Sequence, residues 1–516
     1  MKYIIYTVLA LLTLSIAGCS DFLDKNPPAS LSEASYWQKK SDFDGAMTAC
    51  YAAMRNSNGW MAFRAPFWDN LTDNSYGQHS EGQYGLTVSM VEGNITPNSG
   101  GFVSSLYGGC YSAIARVNLF LSQLEQYEKS DISAADREMY LGEAYFLRAF
   151  FHSYLYLTYG DVPVITEPLN VETQYQPKVE AAKVAEQIHL DLDEAIRLLP
   201  DKTYAEAKGH LTKNAARAYK ARMLLSDAYD ASGNAIISTM NDALGLLNQI
   251  RGYSLSPDYL DLFQGTGQEG NPEIIFSVKY LAPNLYHSSD REIGYWNSAV
   301  PLTNLLDEYE FEDGTPFSAS DPRYDEENPT AGRDSRMAAS ISYGMFEYNG
   351  YAIPQTNPLP TGYQISKFIT RGDGSHLPGG EYSFRSESDW VHLRYADILL
   401  MIAEAENEVN GPNERVYSSI NEVRNRAGLP DLPAGLGKDE MREKIRHERR
   451  IELAFEGLRY FDLRRWKTIK NVMNNLVEPK LPNYKPSYED RFARWPLPQS
   501  EIEKSKGVLI QNSDYN

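Results

Sequence analysis

One predicted helix constrains the fold of this chain more than any other segment. From Tyr140 to Leu157, aromatic residues fall on nearly every face of a helix: Tyr145, Phe146, Phe150, Phe151, Tyr154 and Tyr156. A helix that is apolar all round is buried among other elements. Gly160 and Pro163 are the residue types that end such a helix. The chain must therefore contain further helices that pack around this one.

The rest of the N-terminal half supplies such helices. Apolar residues recur there at spacings of three and four. We expect helices over 41–55, 104–127, 134–158, 178–198 and from Thr212, a residue type suited to an N-cap. Pairs of helices with interlocking small and aromatic residues indicate tetratricopeptide-like pairs, although no clean repeat of about 34 residues is visible. The sequence thus predicts a mainly α fold.

Two long segments lack a helical period. Residues 59–101 are rich in Gly, Asn, Ser and aromatics, and residues 253–390 contain one clear strand candidate, Glu273 to Tyr280. Within the second segment, Gly265-Thr-Gly-Gln-Glu-Gly270 has the spacing of a dinucleotide-binding motif. That motif needs a strand before it and a helix after it, whereas here the predicted strand follows. We expect a turn there and no cofactor.

Helices return near the C-terminal end. Val391 to Glu406 carries apolar residues in helical register, and a second stripe follows Pro412 up to Ala427. The segment from Lys438 to Arg459 predicts a third helix. We therefore expect a C-terminal helical region over 391–516, after a loop-rich, ligand-binding region over 236–390 and an N-terminal helical region over 31–235. Residues 19–516 are expected to form one compact unit.

The first residues resemble an export signal. Lys2 precedes an apolar stretch from Ile4 to Ala17, which is shorter than the roughly 20 residues that a membrane-spanning helix needs. Ile16-Ala-Gly-Cys19 then resembles a bacterial lipobox, in which the Cys thiol is lipidated and becomes the mature N-terminus. We predict a signal peptide over 1–18, a lipid anchor at Cys19 and a tether over 19–30. An ordinary cleavage site is the alternative.

The composition of the chain limits the classes of function that it can have. The chain of 516 residues has 49 Lys and Arg against 69 Asp and Glu, a net charge of −20. Such a chain is repelled by the phosphates of nucleic acids unless one face is locally basic. Beyond Cys19, Cys50 and Cys110 are the remaining cysteines, too few for a disulfide framework and without metal-ligand spacing. A single bridge between them stays open, and we predict no metal and no cofactor.

Catalytic motifs are weak in this sequence. No H-E-x-x-H, G-x-S-x-G or Walker loop occurs. Glu448 and Glu452 form the best carboxylate pair, four residues apart on an apolar helix face. Many arginines surround them in sequence, and Arg394 and Arg424 lie on neighbouring predicted helices. Buried ion pairs explain this pattern better than acid/base catalysis.

Two segments have the mixture of residues that a sugar site needs. A sugar ring offers an apolar C–H face and an edge of hydroxyls, so it requires aromatic platforms beside amides or carboxylates. The segment 59–84 supplies Trp60, Trp68, Asp73, Asn74 and Tyr76, and the segment 284–297 supplies Tyr286, Tyr295 and Trp296. We predict these eight as glycan-binding residues. The alternative is that the rings pack the loops onto the helices.

Several longer blocks carry a family resemblance. The C-terminal ones are Arg394-Tyr-Ala-Asp-Ile-Leu-Leu-Met-Ile-Ala-Glu-Ala-Glu406, Ile420-Asn-Glu-Val-Arg-Asn-Arg-Ala-Gly-Leu-Pro430 and Glu448-Arg-Arg-Ile-Glu-Leu-Ala-Phe-Glu-Gly-Leu-Arg-Tyr-Phe-Asp-Leu-Arg-Arg-Trp466. The N-terminal ones include Tyr111-Ser-Ala-Ile-Ala-Arg-Val-Asn118 and Tyr159-Gly-Asp-Val-Pro163. Together they resemble the SusD/RagB family of outer-membrane nutrient-binding lipoproteins of Bacteroidetes, over essentially the whole mature chain.

The resemblance implies a fold, a location and a partner. It implies tetratricopeptide-like helix pairs with large irregular loop insertions and a few short strands. It implies a lipoprotein of the outer membrane that faces outward, binds an oligosaccharide without breaking a bond, and delivers it to a SusC-type TonB-dependent transporter. Two alternatives remain: the same fold binding peptides, and a lipid-anchored glycoside hydrolase that uses acidic residues of the segment 59–84.

Overall fold

The computed structural model describes residues 36–55, 59–78, 88–281, 284–343, 347–348, 351–352, 359–370 and 385–515. The predicted signal peptide, the tether and Cys19 lie outside these residues, as does Tyr84 of the first aromatic segment.

The described part of the chain is mainly helical. In the N-terminal half the helices are α1 (Lys40–Ala52), α2 (Gly101–Gln126), α3 (Ala134–Tyr159), α4 (Ala181–Leu198), α5 (Lys213–Ser226) and α6 (Ile237–Leu247). Three short helices follow, α7 (Gly265–Gln268), α8 (Thr303–Glu308) and α9 (Ser335–Ser340). The C-terminal region contains α10 (Tyr395–Asn410), α11 (Glu414–Arg426), α12 (Lys438–Glu452), α13 (Arg459–Arg465), α14 (Ile469–Asn474) and α15 (Gln499–Lys504).

The helices pack in the order of the chain. Each helix from α2 to α5 packs against the next one, and α6 then contacts α10, which packs on α11 and α12. Helix α3 is buried as its aromatic pattern predicts, with Phe146, Phe150 and Phe151 inaccessible to solvent. Thr212 caps α5 by accepting a hydrogen bond from the Ala215 N–H. The prediction of a mainly α fold built from tetratricopeptide-like pairs is confirmed.

Short antiparallel strand pairs order the loop-rich region and join it to neighbouring segments. The described strands are β1 (Ser75–Tyr76), β2 (Ile274–Val278), β3 (Val300–Pro301), β4 (Ile341–Tyr343), β5 (Glu347–Tyr348), β6 (Tyr351–Ala352), β7 (Tyr363–Ile365) and β8 (Trp390–Arg394). They pair β1 with β3, β2 with β8, β4 with β7 and β5 with β6. The predicted strand is thus β2, which is shorter at both ends than the segment expected.

Two C-terminal elements differ from the prediction. The helix expected from Val391 begins only at Tyr395, because residues 390–394 alternate between two faces and pair with β2. The helix expected over Lys438 to Arg459 ends at Glu452. A turn follows, in which Phe455 and Gly457 have φ angles of +65° and +76°. A Cβ at Gly457 would lie 2.8 Å from the Ala65 carbonyl oxygen, so this turn closely approaches the segment after Trp60.

Buried ion pairs join the C-terminal helices to the loop-rich region. Arg336 of α9 lies 2.6 Å from Glu448 and 2.8 Å from Glu452, and Arg424 lies 3.1 Å from Glu448. Arg394 and Arg426 also pair with Glu452. The interpretation of Glu448 and Glu452 as buried structural carboxylates is confirmed. The sequence had indicated Arg394 and Arg424 as partners but gave no sign of Arg336.

The structure also shows the state of the two cysteines and the character of the helices. Cys50 and Cys110 are both buried free thiols, so the bridge between them is not formed; Cys110 Sγ lies 4.0 Å from Met61 Sδ instead. Within the described ranges, every helix is too short or too polar to span a bilayer.

We predict that Glu452→Ala lowers the free energy of unfolding by about 3–5 kcal/mol, because it leaves three buried guanidiniums without a shared counter-charge. Urea unfolding followed by tryptophan fluorescence measures the change. The matched control is Glu186→Ala, which removes an exposed ion pair with Lys183 and should cost at most about 1 kcal/mol. Equal effects of the two substitutions would contradict a structural role for the buried pairs.

Candidate ligand-binding site

The first predicted aromatic segment lies in the protein interior. Trp60 is 0% exposed and stacks on Phe102 with ring centroids 3.9 Å apart. Trp68 is 1% exposed, stacks on Trp495 at 5.4 Å and donates its indole N–H to the Trp60 carbonyl oxygen at 3.0 Å. The prediction that these two rings are sugar platforms is wrong, because neither ring has a face open to a ligand from solvent.

Asp73 and Asn74 are also engaged inside the protein. Arg459 Nη2 lies 2.9 Å from Asp73 Oδ2, and Arg450 Nε donates to Asn74 Oδ1 at 2.9 Å. Burial alone would raise the pKa of Asp73, but the Arg450 and Arg459 guanidiniums outweigh it and lower that pKa to about 2. The prediction that these side chains contact a glycan is therefore wrong as well; they anchor the segment to α12 and α13.

Asp69 fixes the same segment to the turn after α12. Its Oδ2 atom accepts hydrogen bonds from Asn74 Nδ2 at 3.0 Å and from the Phe455 N–H at 2.8 Å. Its carboxyl group is fully buried, and burial raises the pKa of Asp69 to about 7. The carboxyl thus supports the left-handed conformation of Phe455, a conformation that is uncommon outside glycine.

Other residues of the two segments keep part of their surface exposed. We define the aromatic face as the partly exposed rings of Phe63, Tyr76, Tyr286, Tyr295 and Trp296, together with Gln78. Strand β1 pairs Tyr76 with Val300, and Gln78 donates to the carbonyl oxygens of Trp296 and Asn297 at 3.1 and 2.6 Å. The structure therefore brings the end of the first segment beside the second, as a shared site requires.

A π-helix presents the rings of the second segment. It spans Asp290–Tyr295, an element that occurs frequently at functional sites. Arg64 fixes it from the first segment by two bonds to Glu292, at 2.6 and 2.7 Å. Gln364 Nε2 donates to the Gly294 carbonyl oxygen and to Asn297 Oδ1. Asn297 itself has φ +50°, so the chain turns sharply just after Trp296.

The rings of the aromatic face are held by neighbours of two kinds. Other rings support Phe63 and Tyr76: His287 stacks on Phe63 at 5.2 Å, and Tyr484 meets Tyr76 edge-on at 4.9 Å. Guanidiniums lie over two of the remaining rings, Arg291 at 4.8 Å from the Trp296 ring centroid and Arg385 at 5.6 Å from that of Tyr286. Such contacts fix ring orientation before a ligand arrives, which lowers the entropic cost of binding.

This arrangement suits binding better than catalysis. Ring faces, the side-chain carbonyl oxygen of Gln78 and two guanidiniums provide stacking surfaces, a hydrogen-bond acceptor and hydrogen-bond donors. The carboxylates of the π-helix have structural partners: Glu292 binds Arg64, and Asp290 accepts the Thr370 N–H at 3.1 Å. A glycosidase needs two carboxyl groups free to act across a cleft. Neither of these two groups is free in that sense.

Sequence reasoning missed the residues that organise this face. Arg291 lies within the predicted segment, but no motif distinguished it from other surface arginines. Gln364 and Arg385 come from the loop-rich region, far along the chain from the residues of the second segment that they contact. Only the pairing of β4 with β7 and the packing of the loops reveal their positions.

Two family models match this chain. The model described as SusD family matches residues 260–515, and the model described as starch-binding associating with outer membrane matches residues 21–225. SusD-like protein P2 of Formosa agariphila is 28% identical over 542 residues, an alignment that covers 100% of each chain.

Solved structures show the same fold. A SusD-like protein from Bacteroides fragilis is 25% identical with a TM-score of 0.78, over 95% of this chain and 100% of that one. A SusD-like carbohydrate binding protein, also from Bacteroides fragilis, is 23% identical with a TM-score of 0.78, over 93% of this chain and 100% of that one. At that identity the second likeness concerns the fold alone.

We predict that Asp69→Asn reduces the pH dependence of stability. The pKa of Asp69 is raised to about 7 in the folded protein, above its value of about 3.9 when unfolded. Between pH 4 and 7 the unfolded state therefore releases this proton first, and the group costs up to about 4 kcal/mol of folding free energy as pH rises. Urea unfolding at several pH values should show that cost in the wild type and not in the variant.

The control for this experiment is Asp325→Asn, at an exposed position. Its unfolding profile should stay parallel to that of the wild type across the same pH range. A parallel profile for Asp69→Asn as well would contradict the assignment of a buried, protonated carboxyl at this position.

Proposed function

Because this chain belongs to the SusD/RagB family, we propose that it is a cell-surface lipoprotein that binds an oligosaccharide or polysaccharide and delivers it to a SusC-type TonB-dependent transporter. The observation that carries the proposal is the aromatic face: partly exposed rings from two distant segments, which hydrogen bonds and an ion pair join to each other.

Glycan capture follows from the chemistry of this face. Sugar rings stack their C–H faces on aromatic rings, and their hydroxyls pair with amides and charged groups at the ring edges. Tyr286, Tyr295 and Trp296 supply the rings in this proposal, and Tyr76 with Gln78 extends the surface. Support also comes from the N-terminal family model, which is described as starch-binding associating with outer membrane.

The proposed mechanism breaks no bond in the glycan. The carboxylates of the π-helix are held by Arg64 and by the Thr370 N–H, so they serve to shape the π-helix. The chain binds its ligand by preorganised stacking and releases it intact. Measurable cleavage of a bound oligosaccharide by the purified protein would favour the glycoside hydrolase alternative.

The location and the partner rest on other observations. The lipobox at Ile16 to Cys19 supports a lipid anchor on the mature chain. The description of the N-terminal family model, starch-binding associating with outer membrane, supports the outer membrane as the site of that anchor. Transfer to a SusC-type barrel is the step that would make capture useful, since polysaccharides do not cross a membrane unaided.

We predict that Trp296→Ala and Tyr295→Ala each weaken glycan binding about two- to tenfold, because each removes one stacking surface of about 0.5–1.5 kcal/mol. The measurement is affinity electrophoresis against a panel of soluble polysaccharides, followed by isothermal titration calorimetry with the polysaccharide that binds. A peptide library serves as the comparison cargo.

The matched control is Tyr175→Ala. Tyr175 is also a partly exposed ring beside a cation, with Lys506 Nζ 5.0 Å from its centroid, but it lies on a different segment from the aromatic face. Its loss should leave glycan affinity unchanged. Wild-type affinity in the Trp296 and Tyr295 variants, or binding of peptides and no polysaccharide, would contradict the proposal.

A further inference from the structure

The structure contains a cleft that lies apart from the aromatic face and shares no residue with it. It has a volume of about 610 Å³, within the range of about 300–1,000 Å³ that is usual for ligand pockets. Its walls come from the C-terminal ends of α3 and α5, from α13 and α14, and from residues 488–494. We define the basic groove by the lining residues that its argument uses: Tyr156, Arg464, Lys467, Lys470, Tyr488 and Arg494.

The charge of this groove is opposite to that of the chain. The whole sequence has more acidic than basic residues, 69 against 49. The lining of the groove instead contains the four cations named above and Arg465, against the carboxylates of Asp227 and Asp490. Arg465 is neutralised by Glu404 at 2.5 Å, and Lys470 and Arg494 have carboxylate partners in Asp490 and Asp161. The positive potential of the groove therefore comes chiefly from Arg464 and Lys467.

Arg464 and Lys467 both line the groove and lie close enough to repel each other. Arg464 donates to the carbonyl oxygens of Leu157 and Ala493, which are neutral acceptors and leave the guanidinium charge uncompensated by those bonds. Lys467 is exposed and has φ +60°. Partial burial and the Arg464 guanidinium lower the pKa of Lys467, although Asp227 and Asp230 act against them. An anion placed between the two cations would relieve their repulsion.

The other two cations have weak or partial partners. Arg494 lies 3.3 Å from Asp161, and its side chain crosses Gly160, where a Cβ would come within 3.0 Å of Arg494 Cδ. Gly160 also has φ +73°, so two independent constraints favour glycine there. Lys470 pairs with Asp490 at 2.8 Å, but both side chains are more than half exposed and the pair contributes little.

Aromatic and acceptor groups accompany the cations. Tyr156 donates its hydroxyl to Asp227 Oδ1 at 2.6 Å, and the Tyr488 ring is partly exposed on the opposite wall. A simple inorganic anion gains nothing from rings, and carboxylates in the wall would repel it. A sugar with acidic substituents uses all three kinds of group: cations for its anionic groups, rings for its C–H faces, and carboxylates as acceptors for its hydroxyls.

We propose that the basic groove is a second glycan site, which binds an acidic oligosaccharide carrying carboxylate or sulfate groups. The class of ligand rests on the proposed function, since a protein that captures glycans meets such chains, whereas the position of the site rests on the groove alone.

The test measures binding by calorimetry at low and at high NaCl concentration. The probes are tetragalacturonate for carboxylates, a sulfated carrageenan tetrasaccharide for sulfates, neutral maltotetraose, and inorganic sulfate. We expect at least one acidic tetrasaccharide to bind, with an affinity that falls as salt screens the cations. The double variant Lys467→Glu/Arg494→Glu should weaken that binding at least about tenfold, the size of effect expected when two cationic contacts are reversed.

The matched control is Arg197→Glu/Lys504→Glu, which makes the same change in net charge at two exposed positions outside the groove. Circular dichroism establishes that both double variants are folded. Acidic binding that is lost in the groove variant and kept in the control supports the proposal. Binding of inorganic sulfate only, no acidic binding at low salt, or equal loss in both variants overturns it.

Trp296→Ala separates this proposal from the proposed function. It should weaken the binding of glycans at the aromatic face and leave acidic binding in the groove unchanged. If Trp296→Ala abolishes acidic binding while the groove variant retains it, the basic groove is not a glycan site and the aromatic face still is.

Discussion

The rest of this structure depends on the ion pairs that three arginines form with the buried carboxylate of Glu452. Arg336 reaches it from the loop-rich region, Arg394 from strand β8 and Arg426 from the end of α11, so one charge ties three distant parts of the chain to α12. Ion pairs of this kind add little stability relative to apolar packing, but breaking one leaves a buried charge uncompensated. The network therefore enforces one arrangement of helices and loops. The turn that follows α12 brings Gly457 against Ala65, and this contact places the first aromatic segment in the interior.

That interior segment in turn supports the surface on which a ligand can bind. Trp60 and Trp68 pack in the core, while Arg64, between them in sequence, pairs with the buried Glu292 of the π-helix. Strand β1 and Gln78 continue the contact along the second segment. Tyr286, Tyr295 and Trp296 are thus displayed on a base that is already ordered, which is the condition for binding by stacking without a large entropic cost. The bonds that order this base include those of Glu292 and Asp290, so these two acidic residues have a structural role.

Much of this fold could be predicted from the sequence, and the limits have physical causes. The aromatic pattern of α3 predicted a helix that packs on most of its faces, so the need for partner helices followed directly. The spacing of Glu448 and Glu452 amid arginines predicted buried ion pairs, although Arg336 could not be identified because it lies in a segment without a regular period. Trp60 and Trp68 could not be distinguished from Trp296 in sequence, since all three lie in irregular segments. Their burial depends on Phe102 and Trp495, which are distant along the chain. Strand β8 was missed for the same reason, because pairing with β2 outweighs the local helical pattern.

In our proposals, two separate surfaces of the same fold bind glycans through different chemical groups. The aromatic face presents rings and amides, and the basic groove presents cations beside rings. The most direct test of the central claim, that the aromatic face holds the glycan, is hydrogen–deuterium exchange of the full protein with and without a saturating neutral polysaccharide that binds it. Binding at this face predicts slower exchange in residues 284–297 and 76–78. Unchanged exchange in both segments, with protection confined to another part of the chain, would contradict it.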